Sequence, residues 1–159
     1  MNRNVKGLLG QVNSAGEVPQ SNDGLDAAFF WFDTRESQLH FAGARIALHI
    51  LPPEADQFET IAGDRMGVGY VDSLADYAWQ LRTVAVPPGS LLFICTDGLI
   101  DQIGGPRSIS FGRRRALELI LRHRAEPPSI ICANLRKALA EWQGAQPRRD
   151  DVILFCARI

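Results

Sequence analysis

The chain of 159 residues has no apolar run long enough to cross a bilayer. Its first residues, MNRNVKGLLGQVNSAGE, hold no apolar core of the length a signal peptide needs. It has little net charge: 17 Lys and Arg against 18 Asp and Glu give −1. That balance offers no electrostatic reason to expect nucleic acid or an anionic membrane as partner. Cysteine is scarce and odd in number: Cys95, Cys132 and Cys156, each inside an apolar segment. They lack the paired spacing of a zinc site and suit buried, reduced thiols in a cytoplasmic protein. Internal repeats and low-complexity tracts are absent as well. What remains is enough apolar residue, 46%, to build one ordinary core.

Hydrophobic patterning supplies the elements. Met1 to Val12 reads as a short helix, with Val5, Leu8, Leu9 and Val12 on one face. NSAGEVPQSNDG is a loop by its Gly, Pro, Ser and Asn content. LDAAFFWFD reads as a strand covered on both sides, TRES as its turn, and QLHFAGARIALHIL as the returning strand. FETIA, YAWQLRTVAV and SLLFICT are further strands, with GDRMGVGYVDS as a loop between the first two. FGRRRALELILRHRA places Ala116, Leu117, Ile120 and Leu121 on one helical face. A second helix, with Ser129 as N-cap, puts Ile131, Leu135, Ala138 and Trp142 on one stripe. VILFCARI closes the chain as a strand apolar enough to be central. Strands, two helices and a returning strand imply an α+β layered fold in one domain, residues 1–159. The expected core includes Phe30, Phe32, Leu92, Ile94, Leu135, Ala138, Val152 and Leu154.

Two acidic corners carry the chemistry. Asp97 ends the strand SLLFICT, and Asp150 with Asp151 opens the strand VILFCARI. Carboxylates brought together repel, so a proton or a cation must compensate them. Hard oxygen donors suit Mg²⁺ or Mn²⁺ rather than Zn²⁺. Gly98 would let the backbone come close to such an ion or its waters. The plainer alternative is a helix N-cap at Asp97 and a solvated turn at Asp150 and Asp151. Arg148 and Arg149 would attract a phosphate or simply offset the acids. His40, His49 and His123 are scattered and read as surface or strand-edge residues. The basic helix GRRRALELILRHR reads as a solvated face, or else as a docking face for an acidic partner.

GSLLFICTDGLIDQ resembles the Thr-Asp-Gly strand end of the metal-dependent PPM (protein phosphatase 2C) class, and RRDDVILFCAR resembles its final Asp-Asp or Asp-Asn motif. DGLDAAFFWFD and QLHFAGARIAL resemble the hairpin that precedes them, and the bacterial SpoIIE-like branch is the most similar. The resemblance runs from about Asp23 onward. It implies an α-β-β-α sandwich with a metal cleft between two sheets. It also implies a serine/threonine phosphoprotein phosphatase in which a water activated by two Mn²⁺ or Mg²⁺ ions attacks phosphorus directly. Asp97 and Asp150 would be ligands, Gly98 part of the motif, and Asp151 a brace for its loop. The substrate would be a phosphorylated regulatory protein, such as an anti-sigma-factor antagonist, with a sensor domain upstream. The class also has an Asp-Gly-x-Gly-His-Gly type loop supplying a bridging aspartate, and no such loop occurs here. The N-terminal strands and metal loop are therefore expected to be missing, so that the chain is a partial domain. It would then be either a phosphatase portion or an inactive half-domain that binds a partner. A phosphotransferase using an aspartyl nucleophile fits less well, because Asp97 is flanked at two residues by Cys95 and Leu99 rather than by a second acid.

Overall fold

The computed structural model describes residues 1–11 and 22–159, so Val12 of the expected first helix lies outside the described residues. The elements run α1 (Asn2–Leu8), β1 (Ala27–Asp33), β2 (Gln38–Ala44), β3 (Leu48–Leu51), β4 (Glu59–Ile61), β5 (Arg82–Ala85), β6 (Leu91–Cys95), α2 (Asp97–Ile100), β7 (Ile103–Gly104), β8 (Ile109–Ser110), α3 (Arg113–Arg122), α4 (Pro128–Gln143) and β9 (Leu154–Arg158). The fold is α+β, as expected. The chain sorts into two compact units, Met1–Ala47 with Ala62–Ala85, and Leu48–Ile61 with Val86–Ile159.

In the first unit, β1, β2 and β5 form an antiparallel sheet in that order. Leu39 and Phe41 alternate inward from β2 and are fully buried. Strand β1 departs from expectation. Phe29 and Trp31 are 58% and 52% exposed, so only one face of the strand is covered, while Phe30 and Phe32 are half-buried. Trp31 stacks instead on His40 of β2, ring centroids 4.5 Å apart. The expected strand QLHFAGARIALHIL is two strands in two sheets. It breaks where Arg45 takes a left-handed φ of 62°. Gly43 and Gly63 admit the Ile46 carbonyl at this break: a methyl on either would lie 2.2 Å from that oxygen. The strand expected from Tyr77 starts only at Arg82.

Helix α1 keeps Val5 and Leu9 beside Gly69 but is rotated so that polar residues, not Leu8, are the buried ones. Asn2 and Lys6 are buried, whereas Leu8 is 88% exposed. Hydrogen bonding explains the choice. Lys6 Nζ donates to the carbonyls of Val71 and Ser73, Asn2 Nδ2 donates to Ser73 Oγ and the Leu74 carbonyl, and Asn2 Oδ1 accepts from the Gly69 N–H.

In the second unit the sheet order is β4-β3-β6-β9, all antiparallel. Helices α3 and α4 contribute Ala116, Ile120, Ile131, Leu135 and Leu139 to a core that also holds Phe93, Leu99 and Phe111. Strand β6, flanked on both sides, is buried at every position, including Leu92 and Ile94. Among the described residues strand β9 lies at an edge of its sheet rather than at its centre, and β6 is its one partner. Its Leu154, with Val152 and Ala138, is only half-buried against the core. Helix α4 begins at Pro128 with Pro127 as N-cap, not at Ser129. Proline suits the first helical position because its missing N–H would have no intrahelical partner there.

His49 is a correction to the surface reading. It is 2% exposed on the inner strand β3, with Nδ1 2.9 Å from Thr60 Oγ1 and with Phe58 and Phe93 beside its ring. Burial, then the charge of Arg113, lowers its pKa to about 4. The unfolded chain therefore takes up a proton near pH 6.5 that the folded chain refuses until about pH 4. Stability should be constant above about pH 7, fall as pH drops through that window and level off below it. Denaturant titrations across pH check this, and a His49→Gln variant should flatten the slope. All three cysteines are free, and burial pushes the thiols of Cys95 and Cys156 up to about 11.

Candidate metal corner

The corner lies within the second unit, at the end of β6. The chain leaves this buried strand at Thr96, which caps α2, and Asp97 is the first helical residue rather than the cap. Asp97 is exposed, and its carbonyl accepts from the Asp101 N–H at 2.7 Å. Among the described residues its carboxylate has no ion pair.

The segment before β9 is clamped onto this turn. Thr96 Oγ1 donates to the Asp151 carbonyl at 2.9 Å and accepts from the Ile153 N–H at 3.0 Å. The Thr96 N–H donates to the Ile153 carbonyl at 3.2 Å. Gly98 completes the contact. A methyl on it would lie 2.2 Å from the Asp151 carbonyl oxygen and 3.1 Å from that of Asp150. The room that the missing side chain leaves is thus taken by the opposite backbone, not kept open for an ion. The two acidic corners separated in sequence are backbone neighbours.

Asp150 is also exposed, and its Oδ1 accepts from the Asp151 N–H at 2.7 Å, which holds the carboxylate at the loop. Asp151 makes its contacts to Thr96 and Gly98 through its backbone. Arg148 and Arg149 are exposed, and the Arg149 N–H donates to Gln102 Oε1 at 3.3 Å. Gln102 is fully buried and also donates to the Pro147 carbonyl, so it anchors the loop that presents Asp150. Sequence reasoning missed Thr96 and Gln102. Thr96 was legible as the residue before the acid, whereas nothing in the sequence marks Gln102.

The donor set fits a divalent cation in kind. One Mg²⁺ can be held by one or two carboxylates with waters and phosphate oxygens. It falls short for two ions, since no group of three His, Cys, Asp or Glu able to hold a metal occurs among the described residues. Asp64, another acid of the chain, is occupied by Tyr77, the Gln80 N–H and Arg82. No helix among the described residues is long and apolar enough to cross a membrane.

The chain as a whole has relatives among known proteins. The chain is similar in structure to the SiaA-PP2C domain of Pseudomonas aeruginosa, with TM-score 0.74 and 32% identity over 84% of this chain and 51% of that one. The PP2C phosphatase domain of SpoIIE from Bacillus subtilis, with a fragment of its regulatory domain, matches at TM-score 0.60 and 14% identity, over 80% of this chain and 36% of that one. The RsbU and RsbW domains of Rv1364c from Mycobacterium tuberculosis match at TM-score 0.62 and 20% identity, over 87% and 37%. The chain thus spans about half the length of the SiaA-PP2C domain, and less of the other two chains. A comparison with curated proteins gives no match. The profile of Stage II sporulation protein E (SpoIIE) matches residues 3–159, and the chain belongs to that family of PP2C-type phosphatase domains.

Proposed function

We propose that the chain is the C-terminal portion of a metal-dependent serine/threonine phosphoprotein phosphatase domain, with Asp97 and Asp150 as ligands to Mn²⁺ or Mg²⁺. The observation that carries this reading is the Thr96–Gly98 clamp, which seats the two acidic corners against each other in a SpoIIE-family chain. The bound ions would lower the pKa of a water and neutralise the charge on the phosphoryl oxygens. The chain's own part is to present the two carboxylates from a rigid strand end and a braced loop. Arg148 and Arg149 would add positive charge for the phosphate. The substrate would be a phosphorylated regulatory protein of the cytoplasm, of the anti-sigma-factor-antagonist kind that the family resemblance implies.

The test is hydrolysis of p-nitrophenyl phosphate with Mn²⁺. The 159-residue chain alone should turn over weakly or not at all, because two carboxylates cannot hold two ions. Joined behind the N-terminal half of the SiaA-PP2C domain, it should gain Mn²⁺-dependent turnover. A folded chimera that stays inactive would favour the inactive half-domain. Robust turnover by the chain alone would place the site elsewhere, with acids such as Asp23, Asp26 or Asp64 taking part.

A further inference from the structure

Gln102 is fully buried just after α2, while every residue of the loop from 144 to 150 is exposed. A buried amide is costly unless each of its groups is matched. In Gln102 each group has a partner. Nε2 donates to the Ile103 carbonyl at 3.0 Å and to the Pro147 carbonyl at 2.9 Å, and Oε1 accepts from the Arg149 N–H at 3.3 Å. The main-chain carbonyl of Gln102 accepts from the Phe111 N–H at 2.8 Å, so the side chain is fixed at its root as well. This burial is complete within the chain itself and needs nothing else packed against it.

The two loop partners flank Arg148. An amide offers donor and acceptor side by side, so it can take the carbonyl of one residue and the N–H of the residue two further on, as a peptide group of a neighbouring strand would. Glutamate has the same reach but, when ionised, no donor, and methionine lacks a donor and has only a weak acceptor. Among the described residues the backbone of residues 147–149 is hydrogen-bonded to Gln102 alone. Past Asp150 the chain is held again, by Thr96 on the Asp151 carbonyl and the Ile153 N–H. Asp150 is therefore strung between two anchored points. The anchoring residues, Thr96 and Gln102, stand on either side of α2, whose first residue is Asp97.

We propose that Gln102 is a positioning residue for the cation: its amide fixes where the Asp150 carboxylate stands relative to Asp97, so that one ion meets both. The inference rests on the metal reading of this corner. Thr96 by itself holds the Asp150 loop from one side, and the Gln102 amide holds it from the other. A loop ordered in advance spares the ion the entropic cost of ordering it. Groups that orient a metal's ligands without touching the metal change its affinity when they are replaced. Gln102 acts in that way, through Asp150 and not on the ion.

The experiment measures Mn²⁺ affinity of the folded 159-residue chain from the paramagnetic resonance of free Mn²⁺. Gln102→Met should weaken binding about tenfold. In an Asp150→Asn background the same substitution should change nothing, because its effect runs through that carboxylate. A role in stability alone would weaken binding equally in both backgrounds, or in neither, and either result overturns the proposal. Arg149→Pro removes the N–H that Oε1 accepts and leaves the core untouched, so it repeats the test should Gln102→Met not fold. Arg149→Ala, which keeps that N–H, is its control, and an Arg149→Pro chain that binds as Arg149→Ala does would also overturn the proposal. In the unsubstituted chain the Arg149 amide should exchange slowly although the residue is exposed, and fast exchange would remove the anchor. No Mn²⁺ binding, or binding indifferent to Asp97→Asn, would overturn the metal reading and this proposal with it.

Discussion

Asp97→Asn should abolish Mn²⁺-dependent turnover in the SiaA chimera, by at least about 100-fold, because even partners one shell out from a metal cost 10–100-fold when changed. An amide keeps the shape of the side chain but removes the charge that would hold the cation. The fold should not suffer. Asp97 is exposed, and among the described residues its carboxylate holds no ion pair to be lost. An unchanged thermal melt with turnover near background is the expected pair of results. Turnover within a few-fold of the parent would remove Asp97 from the site.

Gly98→Ala should be the most damaging small substitution at the same corner. Its methyl would lie 2.2 Å from the Asp151 oxygen, 2.9 Å from its carbonyl carbon and 3.1 Å from the Asp150 oxygen. All three are backbone atoms, and the Asp151 carbonyl is also held by Thr96 Oγ1. No flexible side chain can give way, so the loop must move. Alanine is worth about 0.8–1 kcal/mol over glycine inside a helix. Overpacking of this kind costs about 1–3 kcal/mol, so the clash outweighs the gain. Urea denaturation should show a lower midpoint. Mn²⁺ affinity should fall as well, because the Asp150 loop is displaced from Asp97. A Gly98→Ala variant more stable than the parent would mean that the two corners do not touch.

What could be read beforehand followed from periodicity and from residues with one dominant local preference. SLLFICT is an unbroken apolar run ending in an acid, and it became the fully buried β6 with Asp97 at its mouth. The stripes of α3 and α4 put Ala116, Ile120, Ile131 and Leu135 inside as their spacing required. Convergence of the Asp97 and Asp150 corners was open from their places at two strand ends, and the resemblance is what favoured it over the plainer alternative. The misses share a cause: local patterning does not reveal neighbours. VILFCARI is as apolar as a central strand yet, among the described residues, has a partner on one side only. His49 looked like an edge residue because its neighbours Thr60 and Phe93 come from other strands. QLHFAGARIALHIL reads as one strand until the Ile46 carbonyl has to fit against two glycines. Helix α1 was read by its leucines, while its lysine and asparagine found the partners.

That last choice makes α1 a latch rather than a wedge. A helix seated by leucines is held by water's cohesion, and no single contact can be swapped for another. Here the hold is directional, through Lys6 and Asn2 on the carbonyls and the N–H of residues 69–74. Water can satisfy each of those groups once the helix lifts, and seven residues are too few to stay helical alone. Release of α1 would thus uncover Val5 and part of Leu9 beside Gly69, but not Leu8, which is already in solvent.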